Sequence, residues 1–450
     1  MDRTFHESFI ALMNEQVGDE TEALLDALRQ EPAVSVRFNP KKRGLVPEGL
    51  LMEGARVAWC EDGIYLDKRP QFTLDPLLHG GAYYVQEASS MFLHYAVRQL
   101  AGERAICALD ACAAPGGKST LLHGALPPGS LVVSNEYVRN RAHILAENIA
   151  KWGYANSVVT NNGVEDFVRD KGAFDLVVVD APCSGEGMFR KEPEALRQWS
   201  LDNVEMCVAR QRQIVENAVC ALKEGGLFVY STCTFNRRED EELGAYIERE
   251  LGLEEVTLDL PEEWGIVRGE RGYHFYPHRT KGEGLYMSFY RKEGTEGREG
   301  KRKEGKRKGE KGQLREIGKI WLKNDEDYEI EEVEGRIVAF AKTHADLMRR
   351  IAYGKNALMA GVELGVMKGN KFVPSAALAL SETLSENVGR VDVDKETALR
   401  YLRRETIDLS GKAEKGYVVV QYQGLPLGWV KNLGNRSNNL YPEYWRIRKL

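Results

Sequence analysis

No stretch of the 450-residue sequence approaches the roughly 18–20 consecutive apolar residues of a membrane-spanning helix, so no membrane role is expected. The opening residues, Met1-Asp2-Arg3-Thr4-Phe5-His6-Glu7, lack a basic stretch followed by an apolar one, and no secretory leader is expected. Cysteine is sparse, at 60, 107, 112, 183, 207, 220 and 233. An odd, scattered set in a long chain suits a reducing cytoplasm better than a disulfide framework. No Cys/His group has zinc-finger spacing, so no structural metal is predicted. A basic surplus is also missing. Lys and Arg number 62 against 68 Asp and Glu, a net charge of -6. Phosphate contacts need cations, so a nucleic-acid binder of this composition must concentrate them locally. Apolar residues are not scarce: at 43% they can bury a sizeable core. A chain this long calls for roughly two to four domains.

The segment Glu293–Gly312, EGTEGREGKRKEGKRKGEKG, has no apolar side chain and cannot offset chain entropy by burial. It reads as a charged disordered linker whose cations could also graze phosphates. Before it, the runs Ala105–Ala113, Ser130–Tyr137, Ser157–Asn161, Phe174–Asp180 and Gly226–Thr232 are β-rich and mostly continuous in hydrophobicity, as strands covered on both faces are. Helical patterns at Gly117–Ala125, Val138–Trp152 and Leu201–Lys223 lie between them, and further strands are expected near Ile266–Glu270 and Leu285–Tyr290. This alternation predicts an α/β, doubly wound domain over residues 71–292, with ligands at the carboxyl ends of its strands. Residues 1–70 form a separate α+β unit, with helices from Asp2 or Thr4 to Asn14 and from Glu20 to Gln30, then a strand at Ser35–Phe38. In residues 313–450 short strands are expected at Tyr417–Tyr422, Gly428–Val430 and Trp445–Ile447, as in a small β-barrel module.

The strand ends carry the chemistry. The first leads into Asp110-Ala111-Cys112-Ala113-Ala114-Pro115-Gly116-Gly117-Lys118 and then a helix. Small residues and paired glycines let a ligand approach the backbone, and the helix start offers free N–H groups. The second ends in Glu136, whose carboxylate can accept hydrogen bonds from ribose hydroxyls. The fourth ends in Asp180-Ala181-Pro182-Cys183 and the fifth in Thr232-Cys233. A Gly-rich turn, two carboxylates and two thiols thus converge on one sheet edge.

These segments closely resemble the Nop/Sun family of RNA cytosine-5 methyltransferases, especially its bacterial RsmF-type branch. CAAPGGK at 112–118, DAPCSGEGMFRK at 180–191 and YSTCT at 230–234 carry the resemblance. Lys68-Arg69-Pro70-Gln71-Phe72 and YVQEASSM at 84–91 add to it. It spans residues 35–292 and continues more weakly through GLPLGW at 424–429 and Asn438–Tyr441, which are similar to a PUA-like RNA-binding region. The resemblance implies a class I, Rossmann-like fold and S-adenosylmethionine held by Cys112, Ala113, Ala114, Pro115, Gly116, Gly117, Lys118, Glu136 and Asp180, with Arg141 a lesser contributor. Where the family often has an Asp near the adenine this chain has Asn162, which keeps an acceptor oxygen without its charge.

Carbon 5 of cytosine is a poor nucleophile. A thiolate adding at carbon 6 breaks the aromaticity and pushes electron density onto carbon 5, dividing one difficult step into easier ones. Methylation of an amine or a hydroxyl needs no such partner. A Pro-Cys like Pro182-Cys183 carries the nucleophile in DNA cytosine methyltransferases; in the RNA family the Thr-Cys does. The resemblance therefore implies attack by Cys233, product release assisted by Cys183, and a hydrogen bond from Asp180 to the base. Lys118 is expected to lower the thiol pKa or to steady the substrate. Cys107, Cys207 and Cys220 read as small buried hydrophobes, Cys112 as a wall of the cofactor loop, and Cys60 gives no signal.

Candidate RNA contacts are the patch Arg37–Arg43, Arg190-Lys191 beside the active-site loop, and the last twenty residues, where Lys431, Arg436, Arg446, Arg448 and Lys449 interleave with Tyr441, Tyr444 and Trp445. The cytosine must be flipped out or already single-stranded. The expected partner is 16S ribosomal RNA or the small ribosomal subunit, with the protein a monomer and no DNA partner. Transfer RNA as substrate, or a non-catalytic RNA-binding assembly factor, are the alternatives; intact Cys233, Cys183 and Asp180 speak against the latter.

Overall fold

The computed structural model describes residues 4–45, 53–294 and 312–448. The expected linker lies, apart from its ends, outside them. At its centre a parallel sheet is built from β1 (Cys107–Asp110), β2 (Leu131–Asn135), β3 (Ser157–Thr160), β4 (Phe174–Asp180) and β5 (Leu222–Thr232), and β6 (Tyr286–Lys292) pairs antiparallel with β5. The strand order is β6-β5-β4-β1-β2-β3, the doubly wound arrangement expected. Alternate residues feed opposite faces. Leu109, Val133, Val177 and Phe228 enter one apolar cluster, and Ala108, Val132, Val178 and Val229 the other. Both faces are covered, which is why these strands read as mostly continuous apolar runs. Helices α1 (Gly117–Ala125), α2 (Arg139–Trp152) and α3 (Leu201–Ala221) connect the strands.

The amino-terminal unit differs from the expectation at its edges. Its helices are Glu7–Val17, capped by His6, and Thr21–Arg29. Its sheet, in order Arg56–Val57, Cys60–Leu66, Val34–Phe38, Tyr83–Val85, takes its last strand from beyond residue 70. The helices do not stand apart. Phe9, Met13, Leu24 and Leu28 share a buried cluster with Phe189, Trp199, Val208 and Phe235, beneath the loops that follow β4 and β5.

The carboxyl-terminal region makes two four-stranded sheets and lends one strand, β7 (Ala357–Ala360), to the edge of the central sheet, antiparallel to β3. Tyr417–Tyr422 and Gly428–Val430 fall within observed strands Gly416–Tyr422 and Leu425–Asn432, in an open rather than closed sheet. Trp445–Ile447 is not a strand: a 3₁₀ turn covers Glu443–Trp445, directly after Pro442. No helix among the described residues is long and apolar enough to cross a membrane.

The expected RNA patches are partly interior. Arg37 is 1% exposed; its guanidinium donates to Gln86 Oε1 and Thr120 Oγ1, each at 2.7 Å, and lies over Trp152. Lys42 is buried with Nζ donating to the carbonyls of Gly80 and Lys151. Arg190 is buried against Glu283, 2.9 Å away. Tyr441 and Trp445 belong to the core of the last sheet, which leaves Tyr444 as the exposed ring of that set. These cations and rings hold the modules together, because charge and aromatic area that the sequence shows in clusters can serve an internal interface as well as an RNA.

Candidate active site

After β1 the chain turns through residues 111–116 into α1. Gly116 takes φ 114°, a left-handed conformation that favours glycine, and a side-chain carbon there would stand 3.2 Å from Leu145. Its N–H donates to the Ala113 carbonyl at 2.8 Å. The loop is pinned from α2, where Arg141 Nη2 donates to the Ala114 carbonyl at 2.7 Å and Asn148 Nδ2 to that of Pro115 at 2.8 Å. Beneath it Asp110 is fully buried and accepts from Ser119 Oγ at 2.7 Å; burial pushes its carboxyl up to about 7.

Cys112, Ala114, Glu136, Arg141, Asp180, Cys183 and Cys233 all border one cavity of about 1330 Å³. Ala113, Pro115, Gly116 and Gly117 shape the loop without bordering it. Glu136 is held by the Val138 N–H at 2.8 Å on Oε1, with Arg141 Nη1 3.6 Å from Oε2. Next to it Tyr137 is 75% exposed and borders the cavity, as do Gly163 and Val164. A carboxylate able to accept from a diol, an aromatic ring and a small-residue loop in one cavity fit a nucleoside-bearing cofactor. The sequence reading missed Tyr137, a position where an exposed ring following the acid was the available signal.

Asn162 does not border the cavity. Its Nδ2 donates to Asp166 Oδ2 at 2.7 Å and its Oδ1 accepts the Asn356 N–H at 3.1 Å, so both ends of the amide join β3 to the carboxyl-terminal region.

At the other end of the cavity Asp180 Oδ1 receives Lys118 Nζ and Ser231 Oγ, both at 2.8 Å, leaving Oδ2 free to meet a ligand. Burial opposes the Lys118 ammonium, but Asp180 outweighs it and raises the group above its ordinary value. Lys118 is buried behind the carboxylate; it fixes Asp180 and reaches the Cys233 sulfur only through space. The Cys183 and Cys233 sulfurs are 3.2 Å apart. The neighbouring sulfur, together with burial, pushes the Cys183 thiol well up, so it keeps its proton and can donate to Cys233. Burial beside Asp110 pushes the Cys112 thiol up as well, consistent with a wall. Cys60 and Cys207 are buried, Cys107 faces His344, and Cys220 donates to the Glu216 carbonyl.

Buried polar groups set the thiol pair. Glu239 accepts the Ser184 N–H at 3.0 Å, Gln211 Nε2 at 2.7 Å and Asn236 Nδ2 at 2.8 Å. Gln211 also donates to the Pro182 carbonyl at 3.0 Å. Glu186 accepts the Phe235 N–H at 2.7 Å and Trp199 Nε1 at 3.0 Å, and the Gly187 N–H donates to the Cys233 carbonyl at 2.9 Å. Each thiol loop is thereby cross-tied to the other. Glu239 and Gln211 escaped the sequence reading, because an acid in NRREDEE looks like a solvated helix start and a glutamine mid-helix looks like surface; Glu186 was read only as part of the 180–191 motif.

A model described as 16S rRNA methyltransferase RsmB/F matches residues 97–291, the N-terminal domain of 16S rRNA methyltransferase RsmF matches 5–88, and the methyltransferase RsmF PUA domain matches 388–447. Ribosomal RNA small subunit methyltransferase F of Shewanella loihica is 30% identical over 406 residues, covering 86% of this chain and 82% of the relative. The protein of the same name from Escherichia coli O9:H4 is 29% identical, covering 86% and 83%. Among solved structures, NSun6 from Pyrococcus horikoshii, crystallised with SFG, aligns with TM-score 0.54 at 19% identity over 64% of this chain and 99% of that one. A methyltransferase homologue from the same organism aligns with TM-score 0.51 at 22% identity, covering 61% and 91%. These two establish likeness of fold.

Proposed function

This chain belongs to the 16S rRNA methyltransferase RsmB/F family, and on that premise we propose that it methylates carbon 5 of a cytosine in small-subunit ribosomal RNA, with Cys233 as nucleophile. The observation that carries the reading is the pair of sulfurs 3.2 Å apart, in one cavity with a lysine-held aspartate and a nucleoside-type loop. Cys112, Ala114, Glu136 and Arg141 would hold S-adenosylmethionine, with Tyr137 against its base. When bound, that cofactor supplies an electrophilic methyl group.

The chain's own groups do the rest. Cys233 adds its sulfur to carbon 6 of the ring, and the displaced electron pair moves onto carbon 5. Asp180, steadied by Lys118 and Ser231 on one oxygen, offers the other as acceptor to the ring's 4-amino group and to nitrogen 3 as that nitrogen takes a proton from solvent, which offsets the charge that develops on the ring. Cys183, whose thiol keeps its proton beside Cys233, hands that proton to the departing sulfur 3.2 Å away and takes the carbon 5 proton in its place. The sulfur–carbon 6 bond breaks as this happens, and Cys233 leaves as a thiol. The PUA-like region and the catalytic cavity together meet the RNA, in the cytoplasm where ribosomes are built.

The test uses purified protein, unmodified 16S rRNA and S-adenosylmethionine, with bisulfite mapping of the product. Cys233→Ala should abolish both turnover and covalent capture, whereas Cys183→Ala should accumulate a protein–RNA adduct that survives denaturing electrophoresis. The reverse pattern exchanges the roles, and wild-type protein that leaves every cytosine unmodified refutes the reading.

A further inference from the structure

The cavity is larger than its reacting parts require. At about 1330 Å³ it exceeds the roughly 300–1,000 Å³ that a single small-molecule site usually offers. Past the thiols its wall is α3, where Asn203, Arg210, Gln213 and Asn217 border it. Spacings of seven, three and four residues place these four on one helix face. None of the four side chains has a hydrogen bond or ion pair among the described residues. The acids nearby are differently placed: Glu194 is paired with Arg197 at 2.6 Å, and Glu216 accepts the Tyr246 hydroxyl.

The face is fixed relative to the chemistry. Gln211, next to Arg210, holds the Pro182 carbonyl at 3.0 Å, immediately before Cys183. One turn back, burial pushes the Cys207 thiol up to about 11, while Arg210 opposes the rise and Cys233 adds to it; the guanidinium and the reacting sulfur both lie within electrostatic reach of that one side chain. A free guanidinium beside three free amides suits a phosphate and the polar edges of nucleotides. Glu165 and Glu192, which border the cavity elsewhere, repel a phosphate there and narrow its place to the Arg210 side.

We propose that this face of α3 is a subsite for the RNA nucleotides that flank the target cytosine, with Arg210 on a backbone phosphate and Gln213 and Asn217 on the neighbouring base. The proposal rests on the reading above that RNA enters this cavity. Arg210 is exposed, so its replacement should not disturb folding.

Equilibrium binding of unmodified 16S rRNA is measured against salt for wild type, Arg210→Ala and Arg210→Lys, alongside S-adenosylmethionine affinity and adduct formation. Loss of one phosphate contact to a single strand should flatten the slope of log affinity on log salt by ~0.7. Arg210→Ala should show that change with about tenfold weaker RNA binding and unaltered cofactor affinity, and Arg210→Lys should restore the slope. With wild type forming its adduct, an unchanged slope and affinity in Arg210→Ala overturns the subsite alone. Wild type that forms no adduct overturns the functional reading beneath it.

Discussion

Replacing Glu239 by Gln tests whether the two thiol loops are held by charge. The carboxylate accepts from three donors, the Ser184 N–H, Gln211 Nε2 and Asn236 Nδ2, and has no donor of its own to offer. A glutamine keeps one acceptor oxygen and turns an NH2 group toward the remaining donors. Rotating Gln211 would present its Oε1, which has no partner, but only by giving up the bond to the Pro182 carbonyl. Every arrangement therefore loosens the segment just before Cys183. Each lost bond to a buried charged acceptor costs about 1.5–3 kcal/mol, and removing a buried charge, whose pKa burial raises, returns part of that. A net loss of ~1–3 kcal/mol is expected. The catalytic effect should be larger than the stability effect, since a displacement of about 1 Å costs on the order of 100-fold in rate. The assay is single-turnover adduct formation on RNA carrying 5-fluorocytosine, whose carbon 5 substituent cannot leave, followed across pH with S-adenosylmethionine affinity as control. We expect a fall of 10- to 100-fold in rate, an altered pH profile for thiol alkylation and unchanged cofactor binding. A variant with wild-type rate and pH profile would refute the idea that Glu239 positions the thiols.

Two further outcomes are expected. Glu136→Ala should weaken S-adenosylmethionine about 100-fold by calorimetry, the worth of hydrogen bonds from a diol to a charged acceptor, with RNA affinity intact; equal weakening of both ligands would place Glu136 in the fold rather than the site. Asp110→Asn should change the pH dependence of stability. Burial raises the folded carboxyl from 3.8 to about 7, so the folded state binds a proton that the unfolded chain has released. Its stabilising contribution is full below about pH 4 and is lost as pH rises through about 7, by at most ~4 kcal/mol. Wild type should therefore lose melting temperature relative to Asp110→Asn between pH 4 and 7, and a constant difference would contradict the assignment.

The central sheet was legible because a strand buried on both faces leaves a continuous apolar run. Phe174–Asp180 and Gly117–Ala125 have the expected bounds to the residue. The motif-bearing ends of those strands were legible for the same reason, since each motif begins where the apolar run stops. Cys60–Leu66 was not, because Glu61, Asp62 and Gly63 break any alternation, although Gly63–Leu66 pairs residue by residue with Val34–Arg37. Arg37, Lys42 and Arg190 show the limit most clearly. A cluster of cations in sequence says nothing about whether its partners are RNA phosphates or the chain's own carbonyls and rings, and here the partners lie some fifty to more than a hundred residues away. Asn162 is a similar case: the family resemblance offered its oxygen to a ligand, while the fold pairs that oxygen with the Asn356 N–H.

Those long-range ties bear on why the catalytic domain carries modules at both ends. Arg37 from the amino-terminal sheet donates to the Gly117 carbonyl and to Thr120, in the first turn of the helix that follows the cofactor loop. Strand β7 extends the sheet beside β3, and the Asn161–Asn356 and Asn162–Asn356 bonds close the turn opposite Glu136. The amino-terminal helices pack Phe9 against Phe189 and Trp199, and Trp199 in turn holds Glu186 under the thiol loop. Three edges of one cavity are therefore braced from outside the Rossmann-like sheet. Under the proposed chemistry the site has to bring a flipped base, a methyl donor and two sulfurs together within a fraction of an ångström, and such bracing then contributes more than additional surface charge. That gives a physical reason for a protein with a net charge of -6 to place several of its densest cations in its interior.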